Sequence, residues 1–365
     1  MKKTGIYIHI PFCKTKCPYC DFYSFKGDEK QKDSYLTAVL SCLNGYKQES
    51  LCVDTVYFGG GTPSVFGGKR IGRIIEYIRD NFRLDNAEIT VECNPSSTDR
   101  ALAEELKRSG VNRISMGMQS AVKKEREALG RPSDKEDIRR AVNLFKEVGI
   151  DNISLDIMLG VPFQTKESLD ESIDFLLESD IKHISAYMLK IEEGTPFEKT
   201  EKSLSLPDED TVAELYLHTA KRLREKGFSH YEISNFALED YESRHNLKYW
   251  HCEEYIGIGP SAHSFYKGKR FYYPREFDSF IEGVSPIPDG DGGSEEEYIM
   301  LALRLSEGLS GEKFRESFGK NLPSDIFKKA EKFRKAGLVI SDGDRISLTA
   351  EGFLLSNAII SELIL

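Results

Sequence analysis

The segment Pro11-Phe-Cys13-Lys-Thr-Lys-Cys17-Pro-Tyr-Cys20-Asp-Phe22 places three cysteines within eight residues, in the spacing Cys-x3-Cys-x2-Cys. No fourth cysteine follows nearby. Three thiolates can hold three irons of a [4Fe–4S] cluster and leave the fourth iron open to a small-molecule ligand. The spacing therefore predicts that Cys13, Cys17 and Cys20 bind such a cluster.

Two other uses of these cysteines are weaker interpretations. A structural zinc site needs four ligands, and a disulfide framework is typical of secreted chains. The chain begins Met-Lys-Lys-Thr-Gly-Ile-Tyr-Ile-His-Ile, which leads directly into a strand-like segment without the apolar stretch of a signal peptide. The sequence thus favours a cytosolic location, where thiols stay reduced.

The length and the net charge of the chain limit the number of domains and the kinds of partner that we expect. The chain has 365 residues, of which 39% are hydrophobic, so we expect one large domain plus a smaller one. No apolar run approaches the ~20 residues of a membrane span. A net charge of −10 argues against bulk electrostatic binding to nucleic acid.

The first half of the chain alternates predicted strands and helices. Short β-branched runs occur at 5–10, 55–58, 88–92, 112–116, 152–158 and 183–189. Helical stretches lie between them at 34–46, 69–81, 99–109, 135–148 and 166–179. Six such repeats indicate an α/β fold with a parallel sheet and right-handed crossovers. We predict a partial (β/α)6 barrel, with a flat doubly wound sheet as the alternative.

Polar and glycine residues gather where the predicted strands end. Gly59-Gly-Gly-Thr-Pro63 follows the second strand, Glu92 ends the third, and Gln119 follows the fourth. Asp156 lies in the fifth strand. Ligand sites in parallel α/β folds gather at the carboxyl ends of strands, so we expect these residues at one ligand-binding edge.

The alternating pattern changes at about Pro207, and the chain divides into four predicted segments. We predict a barrel over 1–206, a barrel extension over 207–285, a linker over 286–294 and a C-terminal module over 295–365. The last segment reads as three helices, a short hairpin and a final helix, which is typical of an α+β winged-helix-like module. The negative net charge of the chain favours a role of this module in packing or in binding a partner over a role in binding DNA.

A second constellation lies at Arg244-His-Asn-Leu-Lys-Tyr-Trp-His-Cys252, which holds the only tryptophan of the chain. Histidine, cysteine and tyrosine are haem ligands, and aromatic side chains suit a flat macrocycle. A packed aromatic loop that caps the barrel is the alternative. His245 is the first choice for a haem ligand, with Trp250 beside it, while His251 and Cys252 remain open as replacements.

The cysteine spacing resembles the radical S-adenosylmethionine (SAM) superfamily, in which the amine and carboxylate of SAM occupy the open iron. Five further stretches are similar to the oxygen-independent coproporphyrinogen III oxidase family. They are Tyr7-Ile-His-Ile-Pro-Phe-Cys13, Gly59-Gly-Gly-Thr-Pro-Ser64, Val91-Glu-Cys-Asn-Pro95, Leu155-Asp-Ile-Met-Leu-Gly-Val-Pro162 and the C-terminal module.

Within that family the chain is most similar to the haem chaperones of the HemW type. The decarboxylases carry a fourth cysteine two residues after the third and an N-terminal extension, and here Asp21-Phe22 follows Cys20. The chaperones carry His-Asn-x-x-Tyr-Trp, present here from His245 to Trp250.

The resemblance implies a cytoplasmic haem chaperone, with peripheral contact with the membrane left open. It would pass haem to haem-requiring proteins such as respiratory enzymes, and its cluster would support dimerisation or transfer. The alternative is a radical SAM decarboxylase of coproporphyrinogen III or another tetrapyrrole. The resemblance also implies a SAM site lined by Tyr7, Tyr19, Gly60, Gly61, Thr62, Glu92, Gln119, Arg131 and Asp156.

Overall fold

The computed structural model describes residues 2–364. Its first half alternates strands and helices. The strands are β1 Lys3–Ile10, β2 Cys52–Gly60, β3 Arg83–Cys93, β4 Arg113–Gln119, β5 Asn152–Leu159 and β6 His183–Met188. The helices between them are α1 Glu29–Gly45, α2 Pro63–Phe66, α3 Gly68–Asn81, α4 Arg100–Ser109, α5 Lys123–Ala128, α6 Lys135–Glu147 and α7 Lys166–Glu178.

These six strands stand side by side in chain order, and each is parallel to the next. Right-handed crossovers in a constant direction place all the helices on one face, so the sheet curves and its other face becomes an interior. Tyr57 of β2 and Tyr187 of β6 lie within electrostatic range of each other, although three strands separate β2 from β6. The predicted partial (β/α)6 barrel is confirmed, and the flat doubly wound sheet is not formed.

The barrel strands have one apolar and one polar face. On β1, Ile6, Ile8 and Ile10 are fully buried toward the helices, while Tyr7 and His9 point the other way. A parallel sheet covered on both faces by apolar layers would be apolar throughout. The alternation therefore identifies the barrel interior as a polar chamber.

The rest of the first 294 residues widens the barrel sheet at both edges. The strands are β7 Ser229–Glu232, β8 Asn235–Ala237, β9 Tyr255–Ile258, β10 His263–Tyr266, β11 Lys269–Tyr272 and β12 Ile287–Asp291. The helices are α8 Pro196–Thr200, α9 Glu209–Glu225, α10 Arg244–Trp250 and α11 Phe277–Ile281. The sheet order is β12-β11-β10-β9-β1 at one edge and β6-β8-β7 at the other. The segment predicted as a linker contains β12, an exposed edge strand.

The C-terminal module combines helices with a small antiparallel sheet. The helices are α12 Glu295–Ala302, α13 Gly311–Phe318, α14 Ser324–Lys335, α15 Ala350–Leu354 and α16 Ser356–Ile364. The strands are β13 Leu309–Ser310, β14 Val339–Ser341 and β15 Arg345–Leu348, in the order β13-β15-β14. A bridge between Glu232 and Leu305 joins the module to the barrel sheet. The domain boundaries given above stay a prediction.

Within residues 2–364, no helix is both long enough and apolar enough to cross a membrane.

An aromatic cluster packs behind the cysteine segment and provides a test of the core. Phe66 is fully buried, and its ring lies 5.9 Å from that of Phe12 and 5.5 Å from that of Tyr35. We expect Phe66→Ala to lower the free energy of unfolding by about 3–5 kcal/mol, because it leaves a cavity. Phe22→Ala, at a side chain that is 67% exposed, should cost less than about 0.5 kcal/mol. Equal losses in urea unfolding of the two variants would contradict this packing.

Candidate functional site at the carboxyl edge of the barrel

The three cysteines lie on one closed loop after β1. The N–H of Cys13 donates to the carbonyl of Phe25 at 2.9 Å, and the N–H of Phe25 donates to the carbonyl of Pro11 at 3.0 Å. Inside the loop, the N–H of Cys20 donates to the carbonyl of Cys17 at 3.1 Å. The loop therefore presents Cys13, Cys17 and Cys20 together, each half-buried and unpaired.

The thiols share one electrostatic environment. Burial raises the pKa of Cys20, and the neighbouring thiols Cys17 and Cys13 raise it further. Three thiolates this close repel one another unless cations neutralise them, and the irons of a [4Fe–4S] cluster do so. The donor set therefore fits a cluster bound by three cysteines. Among residues 2–364, no group of three His, Cys, Asp or Glu side chains is arranged to hold a single metal ion.

The glycine run after β2 packs directly against this loop. The N–H of Gly61 donates to the carbonyl of Ile10 and that of Thr62 to the carbonyl of Phe12, both at 2.8 Å. A Cβ at Gly61 would lie 2.8 Å and 2.9 Å from those two carbonyl oxygens, the one of Phe12 being nearer. The Thr62 hydroxyl lies 3.4 Å from the Cys13 sulfur. Glycine is thus required at position 61 for this close backbone contact.

Two carboxylates face the interior just below that edge. Tyr57 donates its hydroxyl hydrogen to Glu92 at 2.9 Å, and Ser115 donates to Asp156 at 3.4 Å. Burial raises the pKa of Glu92 to about 7, and the charge of Asp156 adds to the shift. Burial also raises the pKa of Asp156. Near neutral pH, the neutral and charged forms of Glu92 are therefore both populated.

Tyr19, Arg131 and Gln119 meet beside the cysteine loop. Arg131 Nε donates to the Tyr19 hydroxyl at 2.9 Å. A Cβ at Gly117 would lie 2.5 Å from Gln119 Nε2 and 3.1 Å from Arg131 Nη2, so both side chains cover the same point of β4. Gln119 Oε1 is buried and has no hydrogen-bond partner among the described residues. Tyr7 lies deeper, with its hydroxyl 3.0 Å from His9 Nδ1.

The helix α10, which carries His245 and Trp250, closes the opposite end of the barrel. Glu88, near the start of the paired part of β3, accepts the N–H groups of Arg244 and His245 at 3.1 Å each. His245 Nδ1 lies 2.8 Å from the Thr55 hydroxyl, and its Nε2 lies 2.9 Å from the Tyr249 hydroxyl.

His245 is only 1% exposed, and burial lowers its pKa to about 3. Trp250 is half-buried on the same helix. The structure thus brings most SAM-site candidates to the cysteine loop. His245 lies at the opposite end of the barrel, where its ring is 6.4 Å from that of the deeper candidate Tyr7. The role of His245 and Trp250 in binding haem stays a prediction.

Several residues of the barrel interior were not predicted from the sequence. Tyr57, Arg113, His183 and Tyr187 all point into the chamber, and Arg113 is fully buried with its Nε unpartnered among the described residues. The pattern that would have identified them is the alternation of polar and apolar residues along the strands. Strands of a parallel sheet are normally apolar on both faces, so this alternation indicates a polar inner face. Polar positions spaced by two along each strand would have identified the whole inner face.

The fold and the cysteine site define a radical SAM protein. The profile of the radical SAM superfamily matches residues 7–176, and that of the HemN C-terminal domain matches residues 296–355. The structure is similar to coproporphyrinogen III oxidase (HemN) from Escherichia coli, with a TM-score of 0.84 at 22% identity over 99% of this chain and 90% of that one. That likeness concerns the fold.

Relatives extend over the whole chain. The heme chaperone HemW of Lactococcus lactis is 31% identical over 100% of this chain and 98% of its own length. That of Bacillus subtilis is 34% identical over 97% of both chains, and that of Escherichia coli is 32% identical over 98% of this chain and 97% of its own length. The chain belongs to the HemW family.

Removal of single thiols tests the cluster ligands. We expect Cys13→Ala, Cys17→Ala and Cys20→Ala each to abolish the roughly 400-nm absorption of the reconstituted cluster, because each removes an iron ligand. Cys93→Ala is the matched control, because Cys93 is buried on the opposite face of β3 from Glu92. A full cluster in any of the first three variants would refute the assignment.

The raised pKa of Glu92 predicts a pH-dependent stability. Its ordinary value is 4.5 and its folded value about 7, so the folded state retains a proton that the unfolded chain has lost between these pH values. Stability supplied by neutral Glu92 is therefore complete below about pH 4.5 and lost by about pH 7. In the cofactor-free protein, the wild-type free energy of unfolding relative to Glu92→Gln should fall by on the order of 2–3 kcal/mol from pH 5 to 8.

Tyr57→Phe is the matched variant, because it keeps Glu92 but removes the hydroxyl that lowers its pKa. The fall in stability should persist in that variant and extend to higher pH. Parallel pH curves for wild type and Glu92→Gln would show that Glu92 does not titrate in this range.

Proposed function

We propose that this protein is a haem chaperone that binds a [4Fe–4S] cluster and SAM, takes up haem as cargo and transfers it to haem-requiring proteins. The observation that carries this proposal is the similarity to heme chaperones named HemW along the full length of the chain. The cluster ligands in the proposal are Cys13, Cys17 and Cys20, which share one closed loop.

SAM would lie between the cysteine loop and the interior carboxylates. A cluster held by Cys13, Cys17 and Cys20 would supply an open iron position for SAM and, in its reduced form, would supply an electron to the sulfonium. Gly60, Gly61 and Thr62 offer backbone groups and a hydroxyl beside Cys13. Arg131 supplies a positive charge next to Tyr19, which suits a carboxylate.

The remaining candidates would bind the polar parts of SAM farther from the iron. Glu92 and Asp156 offer acceptor oxygens to ribose hydroxyls or to an ammonium group. Gln119 contributes a buried carbonyl oxygen that lacks a donor among the described residues. Tyr7 borders the same chamber through its contact with His9. Their shared position on the inner face of the barrel supports this assignment.

The partners and location belong to the same proposal. The acceptors would be haem-requiring proteins, including respiratory ones, and the cluster would support a homodimer or the transfer step. The seven cysteines of the chain are all unpaired, which suits the reducing cytoplasm that we propose as its location, with peripheral contact at the membrane.

An anaerobic haem titration of the cluster-reconstituted protein tests this function. We expect saturable, stoichiometric binding in the Soret band, followed by transfer of the haem to a haem-free acceptor protein. The matched control is the apoprotein without its cluster. Absence of saturable binding would refute the proposal. Formation of protoporphyrinogen from coproporphyrinogen III under anaerobic reduction would instead support the decarboxylase alternative.

A further inference from the structure

Most histidines of this chain cannot reach a haem iron. His9, His183 and His245 are buried, and both ring nitrogens of each lie within hydrogen-bond distance of a partner. His230 stacks on Phe236 at 4.2 Å, and its Nε2 lies 3.3 Å from the Tyr216 hydroxyl. Ligation by any of these four would require hydrogen bonds or packing to be broken.

Three histidines remain accessible to different degrees. The side chain of His218 is 17% exposed, and the carboxylate that it contacts, Asp170, also binds Arg222. His263 is exposed but lies flat against Tyr272 at 5.1 Å, without a carboxylate partner among the described residues. His251, at the end of α10, is 33% exposed and contacts Glu307 of the C-terminal module.

The two ring nitrogens of His251 are in different states. Nε2 lies 2.9 Å from Glu307 Oε1, and because an ionised carboxylate only accepts, Nε2 carries the hydrogen. That hydrogen bond is the main reason why the pKa of Glu307 falls to about 2, so Glu307 is charged. Nδ1 has no hydrogen bond in the described chain, since the nearest carboxylate oxygen, on Glu253, is 3.9 Å away.

A histidine that donates one N–H to a carboxylate and leaves the other nitrogen free has the arrangement found in metal-bound histidines. We propose that His251 Nδ1 is the axial ligand of the haem iron, at the seam between α10 and the C-terminal module. This inference rests on the proposed haem-binding function and identifies the ligand within it. Glu307 acts as a positioning residue, because it sets the orientation and the tautomer of the ring.

The neighbours of His251 support this choice. Trp250 is half-buried and offers apolar surface to a flat macrocycle. Cys252 is the competing ligand beside it, but burial raises the pKa of its thiol to about 11, so it stays protonated near neutral pH. A thiolate is the form that binds iron, so ligation by Cys252 requires the loss of a proton, whereas His251 Nδ1 needs no such loss.

The test compares two accessible histidines, the half-buried His251 and the exposed His263, in the full-length, cluster-reconstituted protein. Haemin is titrated anaerobically into wild type, His251→Ala and His263→Ala. We expect His251→Ala to bind haem at least roughly tenfold more weakly and to lose the wild-type Soret position, and added imidazole to restore that position. His263→Ala should match wild type. Glu307→Gln should weaken binding less than His251→Ala does, because the ring remains but its orientation loosens.

Each failure has a distinct meaning. If wild type binds haem saturably and His251→Ala has the same affinity and spectrum, the ligand assignment is overturned while the chaperone function stands. If folded His245→Ala loses the Soret band and His251→Ala retains it, the ligand is His245 and this proposal is wrong. If wild type shows no saturable haem binding, both the proposed function and the ligand assignment are refuted.

Discussion

Two backbone hydrogen bonds at the base of the cysteine loop hold the site together. They join Cys13 to Phe25 and Phe25 to Pro11, so that the loop leaves and re-enters the structure at one point. Gly61 and Thr62, in the turn after the neighbouring strand β2, donate hydrogen bonds to the carbonyls of Ile10 and Phe12 in the same stretch. Because backbone groups make these contacts, the positions of the thiols do not depend on flexible side chains. The spacing of the cysteines has chemical meaning only within this closed loop.

The second constraint is the polarity of the barrel. Its apolar faces point outward to the helices, and its inner face carries carboxyl, phenol and imidazole groups that burial holds near neutrality. Glu92 has a raised pKa and His245 a lowered one for this same reason. Burying so many polar groups opposes folding unless they pair with one another or with a ligand. Within residues 2–364, Gln119 Oε1 and Arg113 Nε remain unpartnered, so the chamber is complementary to a polar molecule rather than to its own walls.

Local patterns in the sequence were sufficient to predict the barrel, but they did not predict that α10 closes one end of it. The β-branched runs located all six strands because each is a short, buried segment bounded by turns. The start of α1 was placed too late, although Asp28 and Gln31 form a capping box that marks it. The positions of β9 beside β1 and of α10 beneath the barrel depend on contacts such as Thr55 with His245, which are 190 residues apart. No local pattern encodes such a pairing, which is why α10 and the cysteines could not be separated in space from the sequence alone.

The link between Glu88 and α10 also sets an order of events during synthesis. The two N–H groups that Glu88 accepts come from residues 156 and 157 positions later in the chain. While the ribosome is still making that stretch, the six barrel strands have all emerged but the floor of the chamber is absent. The nascent barrel is therefore open at both ends, and its polar lining is in contact with water. Closure is a late, long-range step, and such steps are slow compared with local helix and turn formation.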